Sequence, residues 1–161
     1  MTDVLEKVSK KLHENNLSLV SAESCTGGWV AKQITDLAGS SAIFDRGFVT
    51  YSNQSKQDML GVLKKTLERY GAVSEEVVIE MVEGALENSQ ADIALSISGI
   101  AGPGGGTAEK PVGTVCFGWK KRGEEPLAKT LLLVGDRSEI RKQAVEFSLV
   151  ELIKQISLIP R

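Results

Sequence analysis

Histidine is almost missing from this sequence: 161 residues contain one, His13, and only two cysteines, Cys25 and Cys116. A triad built on imidazole would have to run through His13, and two distant thiols supply neither a metal cage nor a disulfide framework. Basic excess is missing as well, since 19 Lys and Arg face 21 Asp and Glu for a net charge of −2. With no basic run longer than Lys120-Lys121-Arg122, this balance argues against nucleic acid or an anionic membrane as partner. No apolar stretch approaches the roughly 18 residues of a membrane span. Residues 1–15 alternate charged and apolar positions instead of forming a signal-peptide core, so the expected location is cytoplasmic.

What is present is an alternating pattern sized for one domain over residues 1–161, at about 150 residues per domain. A domain of that size buries about 68–70% of its unfolded surface, so neither metal nor disulfide is needed to hold it together. Val4, Val8 and Leu12 mark an amphipathic helix over residues 3–15. His13 falls at the edge of its apolar face or in solvent, with no chemical role expected. Leu17–Ala22 reads as a strand, Trp29–Leu37 as a helix and Ala38–Phe44 as a loop. Gly47–Tyr51 reads as a second strand, Ser55–Leu63 as a helix and Thr66–Tyr70 as a further helical turn or two. Ser74 caps a helix to about Ser89, whose five glutamates read as a solvated face. Ile93–Ser98 is an apolar strand of the kind buried on both sides. Val112–Trp119 and Leu127–Val134 follow as strands, and Asp136 with Glu139 forms a capping box opening a helix to about Leu158. Alternation of this sort predicts an α/β fold on a mostly parallel sheet of about five strands. The short link between the last two strands forces one to run antiparallel, so the sheet is mixed.

In such sheets ligands bind beyond the carboxyl ends of the parallel strands. Four unusual loops follow strand ends: Glu23–Gly28, Tyr51–Lys56, Gly99–Gly106 and Gly135–Arg137. Ser24 and Thr26 suit helix capping, while Gly27 and Gly28 allow close approach of backbone to a ligand at a helix start. The Gly99–Gly106 loop holds five glycines in eight residues, yet matches neither the P-loop nor the dinucleotide-binding fingerprint. With His13 badly placed, a hydroxyl nucleophile needs another base, and a desolvated lysine is the usual substitute. Lys56 stands where it can point at Ser24, although by spacing alone it also reads as an exposed cation at a helix start. Cys25 is the rival nucleophile, beside a helix N-terminus that would lower its pKa; a small buried cysteine is the other reading.

Five ordered motifs carry a resemblance over nearly the whole chain: Ser21–Gly28, Gly47–Asn53 with Lys56, Ser96–Pro103, Pro111–Val115 and Gly135–Arg137. They resemble the CinA carboxy-terminal domain family, whose members hydrolyse the carboxamide of nicotinamide mononucleotide to nicotinate mononucleotide and ammonia. The resemblance implies a three-layer α/β/α sandwich and the form without the additional amino-terminal domain that many relatives carry. It implies Ser24 as nucleophile and Lys56 as its base, with no metal and no cofactor. Substrate contacts are implied at Ser41, Tyr51, Ser98, Arg137 and Arg141, the two arginines holding the 5′-phosphate. Thr26, Gly27 and Gly99 belong to the loops whose amides would face the substrate, Cys25–Gly28 or Gly99–Gly102 supplying the oxyanion donors. The expected partners are a small nucleotide substrate and further copies of the chain, as a homodimer or larger oligomer. The competing reading is a catalytically silent module that binds a pyridine nucleotide or ADP-ribose.

Overall fold

The computed structural model describes residues 1–158. Among them, α1 (Thr2–Glu14), β1 (Leu19–Glu23), α2 (Trp29–Thr35), β2 (Phe44–Val49) and α3 (Asn53–Leu60) form the first half. The second half comprises α4 (Lys64–Tyr70), α5 (Glu75–Glu87), β3 (Ile93–Gly99), β4 (Thr114–Lys121), β5 (Leu127–Leu132) and α6 (Arg137–Ser157). The five strands lie in the order β2-β1-β3-β4-β5. β1 pairs parallel with β2 and β3, whereas β4 runs antiparallel to both β3 and β5. The carboxyl ends of β1, β2, β3 and β5 therefore share one edge of the sheet.

Side-chain alternation along each strand sorts the core into two layers. Leu19, Leu95, Ile97 and Phe117 pack with Leu12, Val30, Ile34, Ile140 and Leu149 beneath α1, α2 and α6. On the opposite face Val20, Ala22 and Ala94 meet Leu60, Leu67, Val78 and Met81 of α3, α4 and α5. This is the three-layer α/β/α sandwich on a mixed sheet. At Gly84 of α5 a Cβ would collide with the Leu60 carbonyl. A residue without one lets the end of α3 lie directly on α5.

Several boundaries differ from the sequence pattern for local reasons. β2 starts at Phe44, not Gly47, because it is an edge strand whose Asp45 and Arg46 sit in solvent and pair with each other at 2.8 Å. Part of the expected loop before it is a 3₁₀ turn, Ser40–Ala42. α3 starts at Asn53, two residues early, because Ser52 and Ser55 make a reciprocal capping box. β4 starts at Thr114, since Gly113 takes a positive φ of 97°. Asp136 and Glu139 form the expected box at the start of α6. The acidic face of α5 is only partly solvated: Glu80 accepts the Leu63 N–H at 2.8 Å and Glu75 accepts the Thr130 hydroxyl at 2.6 Å.

Candidate active site

The turn after β1 is fastened from several sides. Glu23, 1% exposed, accepts the Thr26 hydroxyl at 2.7 Å and the N–H groups of Val30 at 2.8 Å and Ala31 at 3.2 Å. A carboxylate at the end of a strand thus satisfies the free amides at the start of the next helix. Ser24 N–H donates to the Ile97 carbonyl at 3.0 Å, and Thr50 N–H to the Glu23 carbonyl at 2.9 Å, tying the turn to β3 and to the end of β2. Gly27 and Gly28 turn the chain with φ of 60° and 96° before α2 begins. Arg141, from the second turn of α6, donates to the carbonyls of Cys25 at 2.9 Å and Thr26 at 3.2 Å. Its guanidinium also lies 5.4 Å from the Trp29 ring centroid.

Lys56, in the first turn of α3, crosses the interior to reach this turn. Its Nζ donates to Ser24 Oγ at 3.1 Å and to the Thr50 carbonyl at 2.9 Å, with the residue only 1% exposed. Burial pushes its ammonium below the ordinary lysine pKa, against a smaller opposing influence of Cys25. An amine in this setting gives up its charge easily and can then accept the serine proton. Cys25 moves the other way: burial pushes its thiol up to about 11, although the Arg141 charge pulls it down. Of the two readings of Cys25, the structure fits the small buried cysteine, because desolvation outweighs the favourable charges around the thiol.

Ser24, Cys25 and Lys56 open onto a cavity of about 270 Å³ at the carboxyl edge of the sheet, walled by Tyr51, Ser98, Gly99 and Arg137. Arg137 donates to the Gly102 carbonyl at 2.7 Å and to the Tyr51 hydroxyl at 3.2 Å, joining the Gly-rich loop to the loop after β2. Ser98 donates its hydroxyl to the Ala72 carbonyl at 2.8 Å.

A model of the CinA C-terminal domain matches residues 1–156. The chain belongs to this family. It is 53% identical over 150 residues to a protein of Escherichia coli strain K12 named nicotinamide-nucleotide amidohydrolase PncC, covering 93% of this chain and 91% of that one. The crystal structure of the competence/damage inducible protein CihA from Agrobacterium tumefaciens superposes with a TM-score of 0.90 at 45% identity, over 94% of each chain. That of the competence damage-inducible protein A from Klebsiella pneumoniae subsp. pneumoniae MGH 78578 gives 0.94 at 37%, over 98% of each.

In this CinA-family chain most of the residues expected at the site do come together, and three are employed differently. Thr26 is fully buried with its hydroxyl given to Glu23, so only its backbone remains for a ligand. Ser41 lies in the turn before β2, at the other end of that strand from Tyr51. At about 3.3 Å per residue the six-residue strand separates it from the cavity by roughly 20 Å, so the fold of the chain does not bring it to Ser24. Arg141 is engaged with backbone carbonyls and Trp29, whereas Arg137 borders the cavity, so the two do not form a pair facing one ligand. Exposed Gly27 sits on the turn beside Arg141, with Nη2 3.5 Å from where a Cβ would stand.

Beyond the residues expected from the sequence, the site uses Glu23 and the Thr50 carbonyl and a cavity wall of Asn53, Ala72, Val73 and Ala101. Glu23 has a signal, as the one charge in an otherwise uncharged strand beside Ser24. A backbone carbonyl has none. Among the described residues no group of three or more His, Cys, Asp and Glu is placed to hold a metal ion, and no helix is long and apolar enough to cross a membrane.

Proposed function

We propose that this chain is a nicotinamide-nucleotide amidohydrolase, converting nicotinamide mononucleotide and water to nicotinate mononucleotide and ammonia. The contact of the buried Lys56 amine with Ser24 Oγ beside an open cavity carries this reading. A binding module has no need of a nucleophile placed against a desolvated base. The name of the Escherichia coli relative supports the substrate class.

Neutral Lys56 accepts the Ser24 proton as Oγ attacks the carboxamide carbon. The tetrahedral adduct collapses with cleavage of its C–N bond, and Lys56 returns the proton to the departing nitrogen, which leaves as ammonia. Water then attacks the Ser24 ester, giving its proton to Lys56, which passes it to Ser24 Oγ as nicotinate mononucleotide is released. Backbone amides of the Cys25–Gly28 or Gly99–Gly102 segments serve the oxyanion, a donor of this kind being worth about 2.7–4 kcal/mol. Arg137 meets the 5′-phosphate, with Tyr51 and Ser98 beside the nucleotide. The reading includes a homo-oligomer acting in the cytoplasm.

Mixing the purified protein with nicotinamide mononucleotide tests the assignment. Stoichiometric ammonia and nicotinate mononucleotide are expected. Saturable binding of the nucleotide with no ammonia released would instead make the chain a binding module.

A further inference from the structure

Arg141 spends its hydrogen bonds on the protein. Nε and Nη2, one of the two edges with which an arginine grips a phosphate, already hold the carbonyls of Cys25 and Thr26. The guanidinium face rests on Trp29. Those two carbonyls belong to the Cys25–Thr26 and Thr26–Gly27 peptides, the second and third after Ser24. In a trans peptide the N–H points opposite to the C=O, so fixing the carbonyls fixes the Thr26 and Gly27 amides on the other side. Gly27 N–H is taken by the Ser24 carbonyl at 3.0 Å. Thr26 N–H has no acceptor among the described residues. Its side chain, meanwhile, is anchored by Glu23, so the peptide cannot rotate freely.

Resting on the amidase reading above, we propose that Arg141 is a positioning residue: it orients and polarises the Cys25–Thr26 peptide so that Thr26 N–H donates to the oxyanion formed on attack by Ser24. A cation on the carbonyl side of a peptide strengthens the donor on its amide side, as in any chain of hydrogen bonds. The charge of Arg141 is felt within the cavity, since it draws down the Cys25 thiol against the effect of burial. This separates the arginines by task, with Arg137 for the ligand and Arg141 for the turn.

The test compares Arg141→Ala, Arg141→Lys and Arg137→Ala on nicotinamide mononucleotide and on nicotinamide riboside, which lacks the phosphate. Arg141→Ala is expected to lower kcat about a hundredfold, the lower range for losing one oxyanion donor, with KM unchanged and an equal factor on both substrates. Arg141→Lys is expected to recover little, since an ammonium cannot hold two carbonyls in one plane, and it carries the same test should the alanine variant fail to fold. A loss confined to the phosphorylated substrate, seen as a raised KM, would make Arg141 a phosphate ligand and overturn the inference. Wild-type kcat in both Arg141 variants would overturn it equally. A second readout is independent of turnover: the Thr26 amide proton resonance should move upfield in the Arg141 variants while amides in β4 and β5 stay in place. If the wild type releases no ammonia from either substrate, the amidase reading fails by itself. The Thr26 resonance then decides whether Arg141 polarises this peptide, and an unchanged resonance overturns the inference.

Discussion

Lys56 Nζ lies 3.1 Å from Ser24 Oγ although the residues are 32 positions apart. β1 delivers the serine at its carboxyl end, and the capped start of α3 delivers the lysine from the adjoining strand's loop. Gly84 lets the end of α3 lie directly on α5, and Lys56, one turn earlier on α3, is buried. The Thr50 carbonyl takes one Lys56 hydrogen at 2.9 Å, leaving the nitrogen lone pair of the neutral amine free to face the serine.

Burial lowers the Lys56 pKa, and the sign of the pH effects follows. The reactive form is the free amine, so kcat/KM should rise with pH through the lowered value and level off below about 10.4, where an ordinary lysine titrates. Lys56→Arg, permanently charged, should be inactive throughout. Between the folded and unfolded pKa values the unfolded chain binds more protons, so stability rises with pH across that window and falls as pH drops through it. Urea titrations from pH 7 to 10 should show this slope in the wild type and a reduced slope in Lys56→Met.

Cys25→Ala should retain most of the activity, because a thiol held near 11 is not ionised at neutral pH and the proposed chemistry assigns the sulfur no step. Steady-state kinetics and the rate of alkylation at pH 7 check this. Abolished turnover in a folded Cys25→Ala protein would transfer the nucleophile to cysteine.

Arg137→Ala should lose about 1.5–3 kcal/mol of binding to a charged group, or tenfold to a hundredfold in kcat/KM on the nucleotide. Nicotinamide riboside should be nearly indifferent to the change. Arg137→Lys should be almost as poor as alanine if the phosphate needs two parallel donors. Equal losses on nucleotide and riboside would show that Arg137 instead maintains its bridge between Gly102 and Tyr51.

Gly84→Ala should destabilise the fold by about 1–3 kcal/mol, the usual effect of overpacking, since the added methyl meets the Leu60 carbonyl with no flexible side chain to yield. Thermal denaturation measures the loss. Activity in the folded fraction should fall as well, because α3 carries Lys56.

Nearly all the elements and the mixed sheet are legible because side-chain period reports which face is buried, and the glycine-bearing loops mark the ligand edge, whereas the three-layer sandwich enters through the family resemblance. β2 starts earlier than its sequence pattern indicates because an edge strand with Asp45 and Arg46 in solvent has no apolar period to read. Ser24 and Lys56 are visible as residue types at strand ends, but by spacing alone Lys56 reads first as an exposed cation at a helix start, because spacing carries no measure of its 1% exposure. What Arg141 grips and what shifts Cys25 depend on packing between α6 and the turn after β1, across more than 100 positions. Spacing along the chain carries no trace of either. Ser41 illustrates the converse limit: it lies outside the five motifs, and the loop it occupies precedes β2 and so opens at the amino end of that strand, away from the site.

Whether Ser24 and Lys56 act as one unit is read out by a double-mutant cycle on ammonia release from nicotinamide mononucleotide. Ser24→Ala and Lys56→Ala should each lower kcat by about 10⁴-fold or more, as for nucleophile and base in other acyl-transfer enzymes. The double variant should be scarcely slower than either single one. Losses that multiply in the double variant, or a single variant that keeps wild-type turnover while folded, would contradict the account.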